Sequence, residues 1–347
     1  MRRVLLPAGA AVALAAALVL AGPAVTAAPQ SHAAITITSD AGFQACTCVT
    51  EGNGTASDPF VIGPWIISAP SSGGWAVKVD NSSGAVTKFF RIDGITLSYD
   101  DLDPSHNAVW LVKVTTARAI KSVVGNLVGT GIRLDSVSNV ALDSISLNKM
   151  NGDAIQVNSS TNVSIVNSKL KSMQNGFHAE NSSFLEIGAG CKTSCNDFTY
   201  DDLRGLWLHN SHDVTVRYLT TAAEDTTAMY LDGTGTYNVD IGFSTANASG
   251  SICPFGSGGA TGLVTDTDGG IRLVNGTHNN VIHDVTARGN VAQDIATGGD
   301  GVWVNPCTGV AQPISPKTAP MGSGNVFANL CYSFTNIPNL PAPTCKN

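Results

Sequence analysis

Three ionisable residues stand at matching places in a repeated pattern: Glu180, His209 and Asp232, separated by 29 and 23 residues. A carboxylate, an imidazole and a second carboxylate in one row are the parts of a general acid–base site. If the row crosses neighbouring strands, Glu180 and Asp232 lie roughly 9.5 Å apart, twice the interstrand spacing. That is the far end of the range over which two carboxyl groups hydrolyse a glycosidic bond with inversion. His209 between them could instead remove a proton, with Tyr230 or Arg272 stabilising an enolate in a β-elimination. Ionisable rows of this kind also arise by chance on exposed strands.

A second row lies two residues earlier and reads Arg133, Gln156, His178, Trp207, Tyr230, Arg272 and Trp303. The first row, in full, reads Asp135, Asn158, Glu180, His209, Asp232, Val274 and Asn305. Exposed Trp and Tyr beside Arg, His and carboxylates offer flat apolar platforms for sugar rings and partners for hydroxyls and uronate carboxylates. Aromatic and polar residues also cover strand faces with no ligand in view, so both readings stand at this point.

The elements that would carry these rows follow from an internal repeat. Seven segments share a small residue followed by apolar-x-apolar, among them Gly131-Ile132-Arg133-Leu134, Ala154-Ile155-Gln156-Val157 and Gly176-Phe177-His178-Ala179. Their first apolar residues are Ile132, Ile155, Phe177, Leu206, Met229, Ile271 and Val302, stepping by 23, 22, 29, 23, 42 and 31. A second marker, Asn or Asp before an apolar residue, follows at Asn139-Val140, Asn162-Val163, Asp213-Val214, Asn238-Val239, Asn280-Val281 and Asn325-Val326. Phe184-Leu185 takes that place in the third copy.

A unit of 22 to 23 residues holds about three short strands, each sending alternate side chains inward. One such turn cannot bury its apolar face alone, whereas a stack buries a continuous core and pairs each backbone with the next. The expected fold is therefore all-β: a right-handed, single-stranded parallel β-helix. The 42-residue step is either two coils or one coil with a loop around Cys253-Pro254. Leucine-rich repeats share the period but need a dense Leu and Asn signature that is absent, and propeller blades need longer units.

The repeat resembles the pectin-lyase-like right-handed β-helix superfamily. Gly52-Asn53-Gly54-Thr55-Ala56-Ser57-Asp58-Pro59-Phe60-Val61-Ile62 is similar to the opening of its periplasmic copper-binding-type branch, related to nitrous-oxide-reductase maturation proteins. That resemblance implies the fold over most of the chain from about residue 60, while the superfamily spans lyases, hydrolases, epimerases and non-catalytic surface proteins. The chain has five Met and no His-rich or Met-rich tract to supply soft copper ligands. The motif sets of polygalacturonases and of calcium-dependent pectate lyases are not found. Asp103-Pro104-Ser105-His106 is similar to a mannuronan-epimerase motif, but Ser105 interrupts it and Asn107 replaces its final Asp.

No cofactor is required by these residues. Acidic loops at Tyr99-Asp100-Asp101-Leu102-Asp103, Tyr200-Asp201-Asp202 and Asp266-Thr267-Asp268-Gly269 could supply oxygen ligands for calcium, or serve as solvated turns.

Residues 1–27 read as a secretory signal peptide: Arg2-Arg3, an apolar run to about Leu20, and a small-residue cleavage site before Ala28. Without it, 17 basic residues face 26 acidic ones, a net charge of −9, which disfavours nucleic acid. No second apolar span occurs, so no membrane span is expected. All eight Cys follow the leader and read as disulfides in an exported chain. Cys191 and Cys195 are near enough to close one small loop, Cys46 and Cys48 pin the N-terminal end, and Cys253, Cys307, Cys331 and Cys345 tie the C-terminal half.

The expected organisation is one β-helix domain over 28–347, of roughly ten to twelve turns. Residues about 35–70 would cap one end and 326–347 the other. Its expected setting is extracellular, periplasmic or at the cell envelope. The functions open to it are recognition of a polysaccharide along the aromatic face, cleavage or epimerisation of one by Glu180, His209 and Asp232, or a structural or adhesive surface role.

Overall fold

The computed structural model describes residues 29–68, 74–98, 106–126, 129–148, 152–171, 174–188, 190–193, 195–199, 204–222, 227–247, 269–288, 293–297, 302–304, 311–313, 319–333, 335 and 337–345. The leader, Cys253, Cys307, Asn305 and nearly all of the three acidic loops lie outside these residues. Among the described residues no helix is long and apolar enough to cross a membrane.

The chain winds into a parallel β-helix. Three sheets of nine, eleven and ten strands run its length, and successive strands within each sheet come from successive coils. Alternation sets the inside of each sheet. Val109, Ile132, Ile155, Phe177, Leu206, Met229 and Ile271 stack in register, each no more than 1% exposed. Val140, Val163, Leu185, Val214 and Val239 form the matching ladder on the second sheet. Stacking equal positions in this way buries apolar area on every coil and leaves few unpaired backbone groups.

The corner between these two sheets is built by a device that composition did not announce. Ser136, Ser159, Asn181 and Asn210 adopt the left-handed backbone region, with φ from +47° to +54°. Each is followed by a residue turned inward. The buried hydroxyls of Ser160, Ser182, Ser211 and Thr236 then accept the backbone N–H groups of Val137, Ser160, Ser182 and Ser211, at 3.1 to 3.3 Å. A hydroxyl ladder inside the core thus supplies acceptors to N–H groups that the bend takes out of the sheet. The next corner uses the same chemistry in Ser168, which accepts from Ile145, and in Asn196, which accepts from Ser168.

Small residues ahead of the strands serve close approach rather than unusual dihedrals. A Cβ on Gly131 would lie 2.2 Å from the carbonyl oxygen of Ala154 on the next coil. The segment beginning at Gly52 is a tight cap turn: the Asp58 carbonyl accepts from Asn53, Gly54 and Thr55, and Gly54 sits against the Phe60 ring. Beside it a short helix, Asp40–Ala45, is capped by Ser39 and buries Phe43 between Phe60 and Phe90. Asp40 reaches across to accept from Thr87 and Lys88.

Several expectations are corrected. The 42-residue step, open between one coil and two, is one coil, because Thr227–Asp232 pairs directly with Gly269–Val274. Val302 does not continue the inner ladder and Trp303 does not continue the outer row. Gln293–Thr297 fills that strand, placing Ile295 on Ile271 and Ala296 beside Arg272. Val302–Val304 pairs antiparallel with Ala311–Pro313 in a separate two-stranded sheet. The marker Asn280-Val281 is displaced by one residue: Asn279 takes the left-handed corner, Asn280 points inward to Val239 N–H, and Val281 faces out. Asn325 repeats Asn280's inward role on the following coil, accepting from Asn280.

Disulfides join Cys46 to Cys48, Cys191 to Cys195 and Cys331 to Cys345.

Candidate functional site

The outer side of the ten-stranded sheet carries both rows expected to do chemistry. Because Leu206 and Leu208 point in, Trp207 and His209 must point out. Register places Arg133, Gln156, His178, Trp207, Tyr230 and Arg272 beside one another on successive coils. Lys78 and Trp110 extend this row toward the N-terminus. The neighbouring row holds Asp135, Asn158, Glu180, His209, Asp232 and Val274 in register as expected.

The row is not the open platform that its composition suggested. His178, Tyr230 and Arg272 are only 7%, 4% and 4% exposed although they lie on the outer face. Nor do the rings present free faces. His178 stacks on Trp207 with centroids 3.9 Å apart and planes within 5°. The Arg204 guanidinium lies 4.4 Å from the Trp207 ring centroid and 4.4 Å from that of Tyr230. Imidazole, indole, guanidinium and phenol therefore stack along the helix axis. Their faces are taken up by one another, which leaves only their edges.

Those edges carry unmatched polar atoms. His178 Nε2, Trp207 Nε1 and Arg204 Nε are all buried without a hydrogen-bond partner among the described residues. A buried polar atom left unpaired costs about 1–3 kcal/mol, more when charged, so a cluster of them calls for a physical reason. Arg204 is the sharpest case. Burial pushes its guanidinium pKa down, against the opposing influence of Tyr230, Asp232 and Asp153. Among the described residues it forms no ion pair. Lys78 and Arg133, further along the face, each do, with Asp80 at 3.0 Å and Asp135 at 2.8 Å.

Asp153 completes the cluster. Its two carboxylate oxygens accept from Asn175 Nδ2 at 2.6 Å and from His178 Nδ1 at 2.8 Å. A carboxylate can only accept, so Nδ1 carries the proton. The Asp153 and His178 side chains are 11% and 9% exposed, which holds the pair in one geometry.

His209 is differently placed. Its Nδ1 donates to Asp232 Oδ2 at 3.0 Å, and its Nε2 accepts from Asn210 Nδ2 at 2.9 Å. Asp232 Oδ1 in turn accepts from Asn275. Both imidazole nitrogens are engaged, so the lone pair a base would use is already occupied. Glu180 lies opposite His209 and is partly exposed.

Asp153, Asn175 and Arg204 were missed in the sequence. Each immediately precedes the small residue of its copy, at Asp153-Ala154, Asn175-Gly176 and Arg204-Gly205. That column could have been read, since Asn175 and Arg204 pair across the sheet. Among the described residues, no group of three or more His, Cys, Asp or Glu could hold a metal ion.

Comparison with solved structures finds loose likenesses. An alginate lyase from Paenibacillus sp. str. FPU-7 matches with 12% identity and a TM-score of 0.39, over 88% of this chain and 99% of that one. The ORF18 protein of Geobacillus virus E2 matches at 10% and 0.38, over 84% and 57%. A pectate lyase from Bacillus sp. N165, in complex with trigalacturonate, matches at 14% and 0.24, over 92% and 89%. Likenesses this distant carry no argument about residues or substrate. No family model and no curated protein matches the chain, and the copper-binding-type branch gains no support.

Proposed function

We propose that the protein binds an acidic extracellular polysaccharide at the recess formed by His178, Arg204, Trp207 and Tyr230. The observation that carries this reading is Arg204, a guanidinium held between two rings without an ion pair among the described residues. Desolvating a cation costs several kcal/mol unless an anion compensates. A uronate carboxylate supplies that anion, and its planar oxygens suit the guanidinium edge. Arg133 and Gln156, further along the row, extend the contact along the chain of sugars.

The test is calorimetric titration of polygalacturonate, alginate and an uncharged glucan into the full chain, with and without calcium. Saturable binding of an acidic polymer, lost in Arg204→Met and weakened in Trp207→Ala, is the expected result. Equal binding by wild type and Arg204→Met, or binding of the glucan alone, would sink the reading.

A further inference from the structure

The coils on either side of Arg204 carry charges that capture of a carboxylate does not by itself require. Three successive strands of the ten-stranded sheet each bring one formal charge to its outer side. Asn175–Glu180 brings Glu180, Arg204–His209 brings Arg204, and Thr227–Asp232 brings Asp232. Glu180 is in register with His209, and His209 with Asp232. The order along the axis is therefore negative, positive, negative. Asp232 also acts on the guanidinium through space, as does Asp153. The coil before Glu180 offers only the uncharged Gln156 and Asn158, and in the coil before that Arg133 is paired with Asp135.

The two acidic neighbours differ in what they can offer a ligand. Asp232 is committed: one oxygen accepts from His209, the other from Asn275, and its side chain is 14% exposed. The Glu180 carboxylate is partly exposed and has no hydrogen bond or ion pair among the described residues. A carboxylate accepts and cannot donate, so it takes a hydroxyl or amide N–H and repels another carboxylate. Adjacent strands lie about 4.8 Å apart, so a sugar chain laid along the axis sets close to one sugar on each coil. A polymer charged on every sugar would place one carboxylate on Arg204 and the next ones against Glu180 and Asp232. Like charges so juxtaposed are a strong penalty, and such a penalty is how a site rejects a competitor.

We infer that the ligand is a polysaccharide with spaced carboxylates, each uronate flanked by uncharged sugars, and that Glu180 and Asp232 exclude polymers charged on every sugar. This inference rests on the binding reading above and narrows its ligand. Arg204 supplies the attraction and the two carboxylates the selection. A hydroxyl or amide of one flanking sugar donates to Glu180. Asp232 contributes repulsion alone, because both of its oxygens are taken. Salt should narrow the preference, since exposed charges are screened within about 8 Å at physiological ionic strength and a partly buried contact pair much less.

The experiment titrates the full chain calorimetrically with polymers of matched length. These are polygalacturonate, the same polymer half and fully methyl-esterified, and a polymer of alternating glucuronate and N-acetylglucosamine. The alternating and half-esterified polymers are expected to bind about tenfold tighter than polygalacturonate at low salt, with the gap closing as salt is raised. The fully esterified polymer has no anion for Arg204 and is expected to bind weakest. Glu180→Gln keeps an acceptor and removes the charge, so it should raise polygalacturonate affinity about threefold or more and leave the alternating polymer little changed. Polygalacturonate binding as tightly as the spaced polymers, and still lost in Arg204→Met, overturns the spacing inference and leaves the binding reading standing. An unchanged ratio of the two affinities in Glu180→Gln overturns the role given to Glu180. Affinities that Arg204→Met leaves untouched for every polymer overturn both readings.

Discussion

Arg204→Met separates a residue kept for a ligand from one kept for the fold. The wild-type guanidinium has left water at an effective cost of several kcal/mol. Its two ring contacts, each with the charged carbon 4.4 Å from a centroid, return about 1–2 kcal/mol apiece when desolvated. Met keeps much of the apolar stem, adds sulfur–ring contacts of about 0.3–1.5 kcal/mol and carries no charge. The balance predicts that the variant gains about 1–2 kcal/mol of stability without ligand. With an acidic polymer at a hundred times its Kd, wild type should gain about 2.7 kcal/mol and the variant nothing. Denaturant titrations of both proteins, each with and without polymer, measure all four numbers. A variant less stable than wild type by more than about 1 kcal/mol would show that Arg204 holds the fold together, because removing a structurally paired buried ion is strongly destabilising.

Three further outcomes follow from the scaffold. Ser182→Ala removes the acceptor of the Ser160 N–H inside the core and should cost about 1–3 kcal/mol by denaturant titration, whereas Ser183→Ala beside it should cost little. Phe184 is 59% exposed at φ +54°, a region in which Asn is at home, so Phe184→Asn should raise stability by about 0.5–1 kcal/mol in the same assay. The Asp143 carboxyl is held below its ordinary pKa, first by Asn167 and then by Ser144 and Lys121, against desolvation. Its folded pKa being depressed, that stabilisation is present above the unfolded value of about 3.9 and is lost as pH falls through the folded one. Wild type should therefore exceed Asp143→Asn in stability at neutral pH, with the gap closing in acid.

The coil was legible because alternation and stacking leave a regular mark. Ile132, Ile155 and Phe177 could be aligned by spacing alone, and so could the row facing out from them. Legibility ended where one residue changed its part. Asn280 reads as a corner residue like Asn238, yet Asn279 takes the corner and Asn280 turns into the core, a shift of one position that reverses faces. Val302-Trp303-Val304 matches the repeat as well as any segment, but Ile295 had already filled its place. A pattern records that a strand can sit on the stack and not which of two candidates does.

The two histidines show the same limit at the level of chemistry. His178 and His209 both follow an apolar residue on adjacent outward rows, and both meet a carboxylate through Nδ1. What distinguishes them is the other nitrogen. Asn210 follows His209 directly and caps its Nε2, while among the described residues nothing caps that of His178. The carboxylates differ as well. Asp232 lies one coil beyond His209, where the repeat made it visible, whereas Asp153 precedes its own strand and reaches His178 from outside the aligned columns. The spacing therefore led to the histidine whose lone pair is occupied. The one whose second nitrogen has no partner among the described residues was marked by Asp153, Asn175 and Arg204, three residues in the column just ahead of the small position. An imidazole acts as a base through the nitrogen it has free, and only the fold decides which nitrogen that is.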